Sequence, residues 1–141
     1  LGSALAGYTG LAEHRFNLVA VFDNNYAKIG RQLWNHEILD FARVREVNAQ
    51  LGARIAILAV PRTAAQAAAD ALIEAGVHAL LNFAPTVLRV PPNIVVRNVS
   101  FVQELAVLSY HLSAEHPEDF EEIAPDSTDA PIPPTGAAPA T

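Results

Sequence analysis

The sequence predicts an α/β protein, a Rossmann-like doubly wound parallel sheet that lacks its first strand. Three observations predict this. Short runs rich in β-branched residues alternate with helical segments, and glycines fall where those helices should stop. The runs are apolar on both faces, as in parallel strands covered by helices on each side. Alternation at this spacing also implies right-handed crossovers.

The small and apolar residues from Leu1 to Tyr8 suit a helix, which the Gly7 to Gly10 region ends. Asn17 to Asp23 reads as a buried strand, Glu37 to Leu51 as a helix and Arg54 to Val60 as a second strand. An Ala-rich helix follows from Arg62 to Ala75, then a strand from Val77 to Asn82. Gly52 and Gly76 occupy the positions of helix C-terminal glycines. A loop with Pro85, Pro91 and Pro92 leads to a strand from Ile94 to Val99, and Phe101 to Ser113 forms a closing amphipathic helix. In that helix Phe101, Leu105, Leu108 and Leu112 recur at i, i+4, i+7 and i+11, with Val102 and Ala106 widening the stripe. Such a stripe covers either its own sheet or a partner subunit, and the sequence leaves both open. A helix like the first one is normally fed by a strand, so the abrupt start at Leu1 reads as a truncation.

A chain of 141 residues, 51% of them hydrophobic, can bury one ordinary core. The absence of cysteine excludes disulfides, thiolate metal sites and cysteine nucleophiles. No apolar run is long enough to span a bilayer and no basic flank marks a signal peptide, so a soluble, cytoplasmic protein is expected. The formal net charge of −6 is uneven: residues 112–141 hold seven acids and no Lys or Arg, and the remaining eight acids against nine bases leave +1. We therefore divide the chain into a nucleotide-binding domain over residues 1–113 and an acidic, Pro-rich tail over 114–141, disordered from about Ala124. A near-neutral body offers no electrostatic footprint for nucleic acid.

Two glycine and acid positions stand out. Gly2 and Asp23 are 21 residues apart, the spacing between the third glycine of a G-x-G-x-x-G turn and the acid that binds the adenosine ribose. An acid there favours NAD(H) over NADP(H), because it repels a 2′-phosphate. Asp23 reads equally well as a turn cap before Asn24 and Asn25. Val60-Pro61-Arg62-Thr63 and Asn82-Phe83-Ala84-Pro85 end two strands, where ligands of open α/β sheets bind, although Thr63 is also a plausible N-cap. Metal or hydrolytic chemistry finds little support. His14, His36, His78, His111 and His116 show no ligand spacing, no G-x-S-x-G elbow occurs, and His78 reads as a packed or rim residue.

The segments LGSALAGYTGL, VFDNNYAKIGR, ILAVPRTAAQAAADALIEAGVHALLNFAPTVLRVP and RNVSFVQELAVLSYHL resemble, in order and spacing, the cofactor-binding domain of the redox-sensing transcriptional repressor Rex family. The resemblance runs from Leu1 to about Leu112. It implies a homodimeric repressor, not an enzyme, that reads the NADH/NAD⁺ ratio. An N-terminal winged helix, absent here, would hold operator DNA, the Rossmann domain would bind NAD(H), and the closing helix would be exchanged between subunits. NADH would close the dimer and release DNA.

By the same resemblance, Leu1 and Gly2 match the end of the glycine-rich loop, and Asp23 the ribose acid. Lys28, Ile29 and Gly30 match the turn that follows, and Val60, Pro61 and Arg62 the loop under the cofactor. Asn82, Phe83 and Pro85 match the turn beside the nicotinamide. Ser100, Phe101, Val102, Leu105 and Leu108 fall on the dimer and switch segment, with Ser100 standing where the family usually has Asp. The rival readings are a CoA- or nucleotide-binding Rossmann module of the acyl-CoA synthetase type and a fragment of an NAD-dependent oxidoreductase.

Overall fold

Parallel pairing, which the alternation of strands and helices required, governs most of the sheet. The structure, a computed structural model, describes residues 1–115, which fall in two units, Leu1–Ser100 and a second that begins at Phe101. The tail beyond residue 115, with the stretch expected to be disordered, lies outside the described residues. In the first unit the helices are α1 (Gly2–Ala6), α2 (Gly10–Glu13), α3 (Val44–Leu51) and α4 (Arg62–Glu74). Its strands are β1 (Val21–Asp23), β2 (Gln32–Leu33), β3 (His36–Asp40), β4 (Ile55–Leu58), β5 (Ala79–Asn82) and β6 (Val95–Asn98).

Two three-stranded ladders result, in the orders β1-β3-β2 and β4-β5-β6. β1 runs parallel to β3, with Asp23 opposite Asp40, while β2 is antiparallel to β3. In the second ladder both pairs are parallel, and Leu58, Asn82 and Asn98 share one row at the carboxyl ends. β1 and β4 stand at the ends of their ladders, and among the described residues no strand joins them.

The segment read as one helix from Glu37 to Leu51 is corrected. His36–Asp40 is a strand, Phe41–Arg43 a single 3-10 turn, and the α-helix begins only at Val44. Burial alternates there, Glu37 exposed and Ile38 buried, and pairing with β1 outweighs local helix propensity. Asp40 then stops the strand, its Oδ1 accepting the Ala42 N–H at 2.9 Å. The two-residue β2–β3 turn, Trp34-Asn35, has no glycine to announce it; Trp34 itself adopts φ 53. Thr63 is not an N-cap either, since Pro61 holds that position and Thr63 lies in the first helical turn. The Gly7 to Gly10 region does end α1, with Gly7 as C-cap, but Gly10 opens a further short helix.

The core lies between the β4-β5-β6 ladder and α4. Ala65 and Ala69, four residues apart, are fully buried in one cluster with Leu58 and Leu80, and Val44, Leu72, Val77, Ala84, Leu88 and Ile94 complete it. Alanines at that spacing let a helix approach the sheet closely. Asn48 ties the helix ends together: its Nδ2 donates to the carbonyls of Ala53 at 3.0 Å and Ala75 at 2.9 Å, and its Oδ1 accepts the Ala53 N–H. Gly52 and Gly76, at φ 67 and 99, take the left-handed conformation that stops α3 and α4. On the opposite face of the ladder Ile55 and Val95 are 58% and 60% exposed.

The hairpin also anchors α1. The Trp34 indole donates from Nε1 to the Ser3 carbonyl at 3.2 Å and lies over Gly7, where a Cβ would stand 2.3 Å from Cε2. Only glycine admits the ring in that position. In the second unit α5 (Phe101–Glu115) is one continuous helix, slightly longer than its sequence pattern predicted, and Phe101, Leu105, Leu108 and Leu112 are all exposed. Among the described residues no helix is long and apolar enough to cross a membrane.

Candidate functional site

Asp23 ends β1 with its carboxylate in two contacts. Oδ1 accepts the Asn25 N–H at 2.9 Å, and Oδ2 lies 3.4 Å from Lys28 Nζ. The acid therefore does cap its turn, as one reading expected, yet its side chain stays 28% exposed. Asn25 repeats the motif by accepting the Ala27 N–H on its Oδ1, and its carbonyl accepts the Lys28 N–H at 2.8 Å. Gly30, at φ 82, closes the turn by donating to the Ile38 carbonyl, and Ile29 is half-buried beside it. This double Asx turn fixes where Lys28 leaves the backbone.

The start of α1 lies against the other ladder. A Cβ at Gly2 would stand 3.5 Å from the Ala59 Cβ, and no other atom outside the local backbone would come within 4 Å. Leu1 and Gly2 are thus brought beside the loop that follows β4, on open ground. Within that loop Val60 packs on the core, Pro61 leads into α4, and the Arg62 Nε donates to the Pro85 carbonyl at 3.0 Å. Arg62 thereby links the strand-end turns after β4 and β5, which the sequence singled out separately.

Asn82 is fully buried, at 0% exposure. Its Oδ1 accepts the Ala84 N–H at 3.0 Å, while Nδ2 donates to the Thr86 carbonyl at 3.0 Å and to Asn98 Oδ1 at 2.9 Å. The side chain thus shapes the turn that carries Phe83 and Pro85 from beneath and does not present its amide to a ligand. Phe83 is half-buried, its N–H donating to the Leu58 carbonyl, and Pro85 is exposed. Two partners in this architecture escaped the sequence reading. Asn98, itself exposed, accepts from the buried Asn82 amide. Gln66 exchanges hydrogen bonds with the Arg89 backbone, accepting its N–H and donating to its carbonyl at 2.9 Å. A lone glutamine in an Ala-rich helix was the one signal available for the second.

Ser100 ends the first unit and Phe101, Val102, Leu105 and Leu108 belong to α5, so the dimer and switch residues fall on the second unit or at its border. His78 is an exposed rim residue at the amino end of β5, in keeping with its sequence reading.

The family model described as CoA binding domain matches residues 1–86. The Redox-sensing transcriptional repressor Rex of Carboxydothermus hydrogenoformans is 44% identical over 112 residues, which are 79% of this chain and 54% of that protein. Rex of Chloroflexus aggregans is 44% identical over 115 residues, 82% of this chain and 54% of that protein. Among solved structures, the Rex-family repressor RSP superposes with a TM-score of 0.76 at 35% identity, covering 80% of this chain and 54% of that one. RSP has also been solved in complex with β-NADH, and with β-NAD⁺ and operator DNA. The chain spans about half the length of the curated relatives it matches.

Proposed function

Because this chain belongs to the CoA-binding domain family and resembles the Rex repressors along four fifths of its length, we propose that it is the NAD(H)-sensing part of a redox-responsive transcriptional repressor. The observation that supports this best is Asp23. A partly exposed carboxylate held by its own turn at the carboxyl end of a parallel strand fits the two hydroxyls of an adenosine ribose. Leu1, Gly2 and the turns at Lys28-Ile29-Gly30, Val60-Pro61-Arg62 and Phe83-Pro85 frame that subsite and the remainder of the dinucleotide. Asn82 acts from below by holding its turn in shape.

The relatives are named as repressors, not enzymes, and this site is read in the same way: the nucleotide is a signal and undergoes no reaction. RSP occurs with NADH in one crystal and with NAD⁺ and operator DNA in another. Sensing then requires only that NADH bind a DNA-incompetent arrangement more tightly than a DNA-competent one, since a ligand shifts an equilibrium by its differential affinity. Operator DNA would be held by a winged helix outside residues 1–141, and the protein would act as a homodimer in the cytoplasm. The exposed apolar stripe of α5 supports the dimer, because a second copy would take those side chains out of water.

Titration with NADH, NADPH and CoA tests the reading. NADH binding with weak CoA binding is expected; tight CoA binding with none for NADH would instead favour an acyl-CoA synthetase type module. Asp23→Ala should weaken NADH binding by about 10- to 100-fold, the loss of charge-assisted hydrogen bonds at roughly 1.5–3 kcal/mol, while circular dichroism stays unchanged. Unaltered affinity would return Asp23 to the role of a turn cap alone.

A further inference from the structure

Lys28 is the only lysine of the chain, and the double Asx turn places its ammonium 3.4 Å from Asp23 Oδ2. We propose that Lys28 is a specificity-determining residue of the adenosine-ribose subsite, a cation neutralised by Asp23 that becomes a phosphate ligand once that carboxylate is removed. The inference rests on the nucleotide reading of the site.

The argument is one of local charge. A ribose bearing a phosphate, on the 2′ oxygen in NADPH or the 3′ oxygen in CoA, brings two negative charges to a position governed by Asp23. The carboxylate repels that phosphate and also occupies the nearby ammonium. An unphosphorylated ribose instead donates its hydroxyls to the carboxylate, while Lys28 stays paired with Oδ2. The pair therefore selects against phosphorylated adenosines in two ways, by repulsion and by sequestering the one cation of this turn. No arginine stands in the 23–30 turn to compete for the role. Lys28 is 56% exposed, so it can swing from the acid to a phosphate without leaving solvent.

Asp23→Asn isolates the effect, because its Oδ1 can still accept the Asn25 N–H and preserve the turn; Asp23→Ser serves as a second variant should the first fail to fold. Fluorescence titrations of the full chain with NADH and NADPH are compared for the parent, Asp23→Asn, and Asp23→Asn combined with Lys28→Met. The parent should prefer NADH by tenfold or more. Asp23→Asn should tighten NADPH about tenfold and reverse the preference, with CoA gaining in parallel, and the gain should shrink as salt rises. Adding Lys28→Met should abolish the gain. If NADPH affinity does not rise in Asp23→Asn, or the rise survives Lys28→Met, the proposal is overturned while NADH binding by the parent upholds the site. If the parent binds neither dinucleotide, the underlying reading and this inference fall together.

Discussion

Replacing Asn82 with alanine lowers the stability of the protein by about 2–4 kcal/mol, the cost of stranding buried polar groups. Four groups lose a partner at once: the Ala84 N–H and carbonyl, the Thr86 carbonyl and Asn98 Oδ1. Asn82 and Ala84 are buried, so water does not simply take the amide's place there, and Asn82 sits in the row that joins β4, β5 and β6. For a domain of this size the melting temperature should drop by more than about 10 °C, read by circular dichroism. A fall of only a degree or two would mean that the turn relaxes enough to hydrate itself. Because the same turn carries Phe83 and Pro85, nucleotide affinity should fall along with stability.

The second large effect concerns association. Phe101→Ala together with Leu105→Ala should convert a homodimer to monomer. Large apolar side chains at an interface centre cost roughly 2 kcal/mol or more each on truncation, so the two together raise the dissociation constant by about a thousandfold. Both side chains are exposed in the single chain, at 59% and 64%, and alanine is the strongest helix former, so α5 itself should survive the change. Light scattering across a concentration series distinguishes the outcomes. A parent protein that is monomeric at every concentration would remove the exchanged-helix idea before any mutant is made.

Most of the architecture was legible because its signals were local. Gly52 and Gly76 mark helix ends for a steric reason, and the Ala-rich helix and the runs at Arg54 to Val60 and Val77 to Asn82 carry unambiguous periods. What escaped was decided by distant partners. The segment at His36–Asp40 is a strand because β1 lies beside it, and five residues with Ile38 and Leu39 at the centre suit a helix nearly as well. The Trp34-Asn35 turn has Asn35 but no glycine to announce it, and Trp34 is held by tertiary contact with α1.

The site divides along the same line. Asp23 could be found from spacing, and both of its sequence roles, acid and cap, coexist in one side chain. Asn82 could be found only as a position. Its complete burial and its pairing with Asn98, 16 residues away, depend on the register of two strands, which no local pattern reveals. The contact of Arg62 with Pro85 likewise spans 23 residues.

The separation of the sheet into two ladders has a consequence for local stability. The β4-β5-β6 ladder is backed by the buried cluster of Leu58, Leu80, Ala65 and Ala69, whereas the first ladder reaches that cluster only through the half-buried Phe22, its buried residue Ile38 lying outside it. With no rung of backbone hydrogen bonds shared among the described residues, the half carrying Asp23 and Lys28 should be the softer one. Amide protons of Phe22 and Ile38 should then exchange with solvent sooner than those of Leu58 and Leu80. A dinucleotide spanning both halves would stiffen the weaker one, so that the energy of binding is partly spent on order in the β1–β3 region.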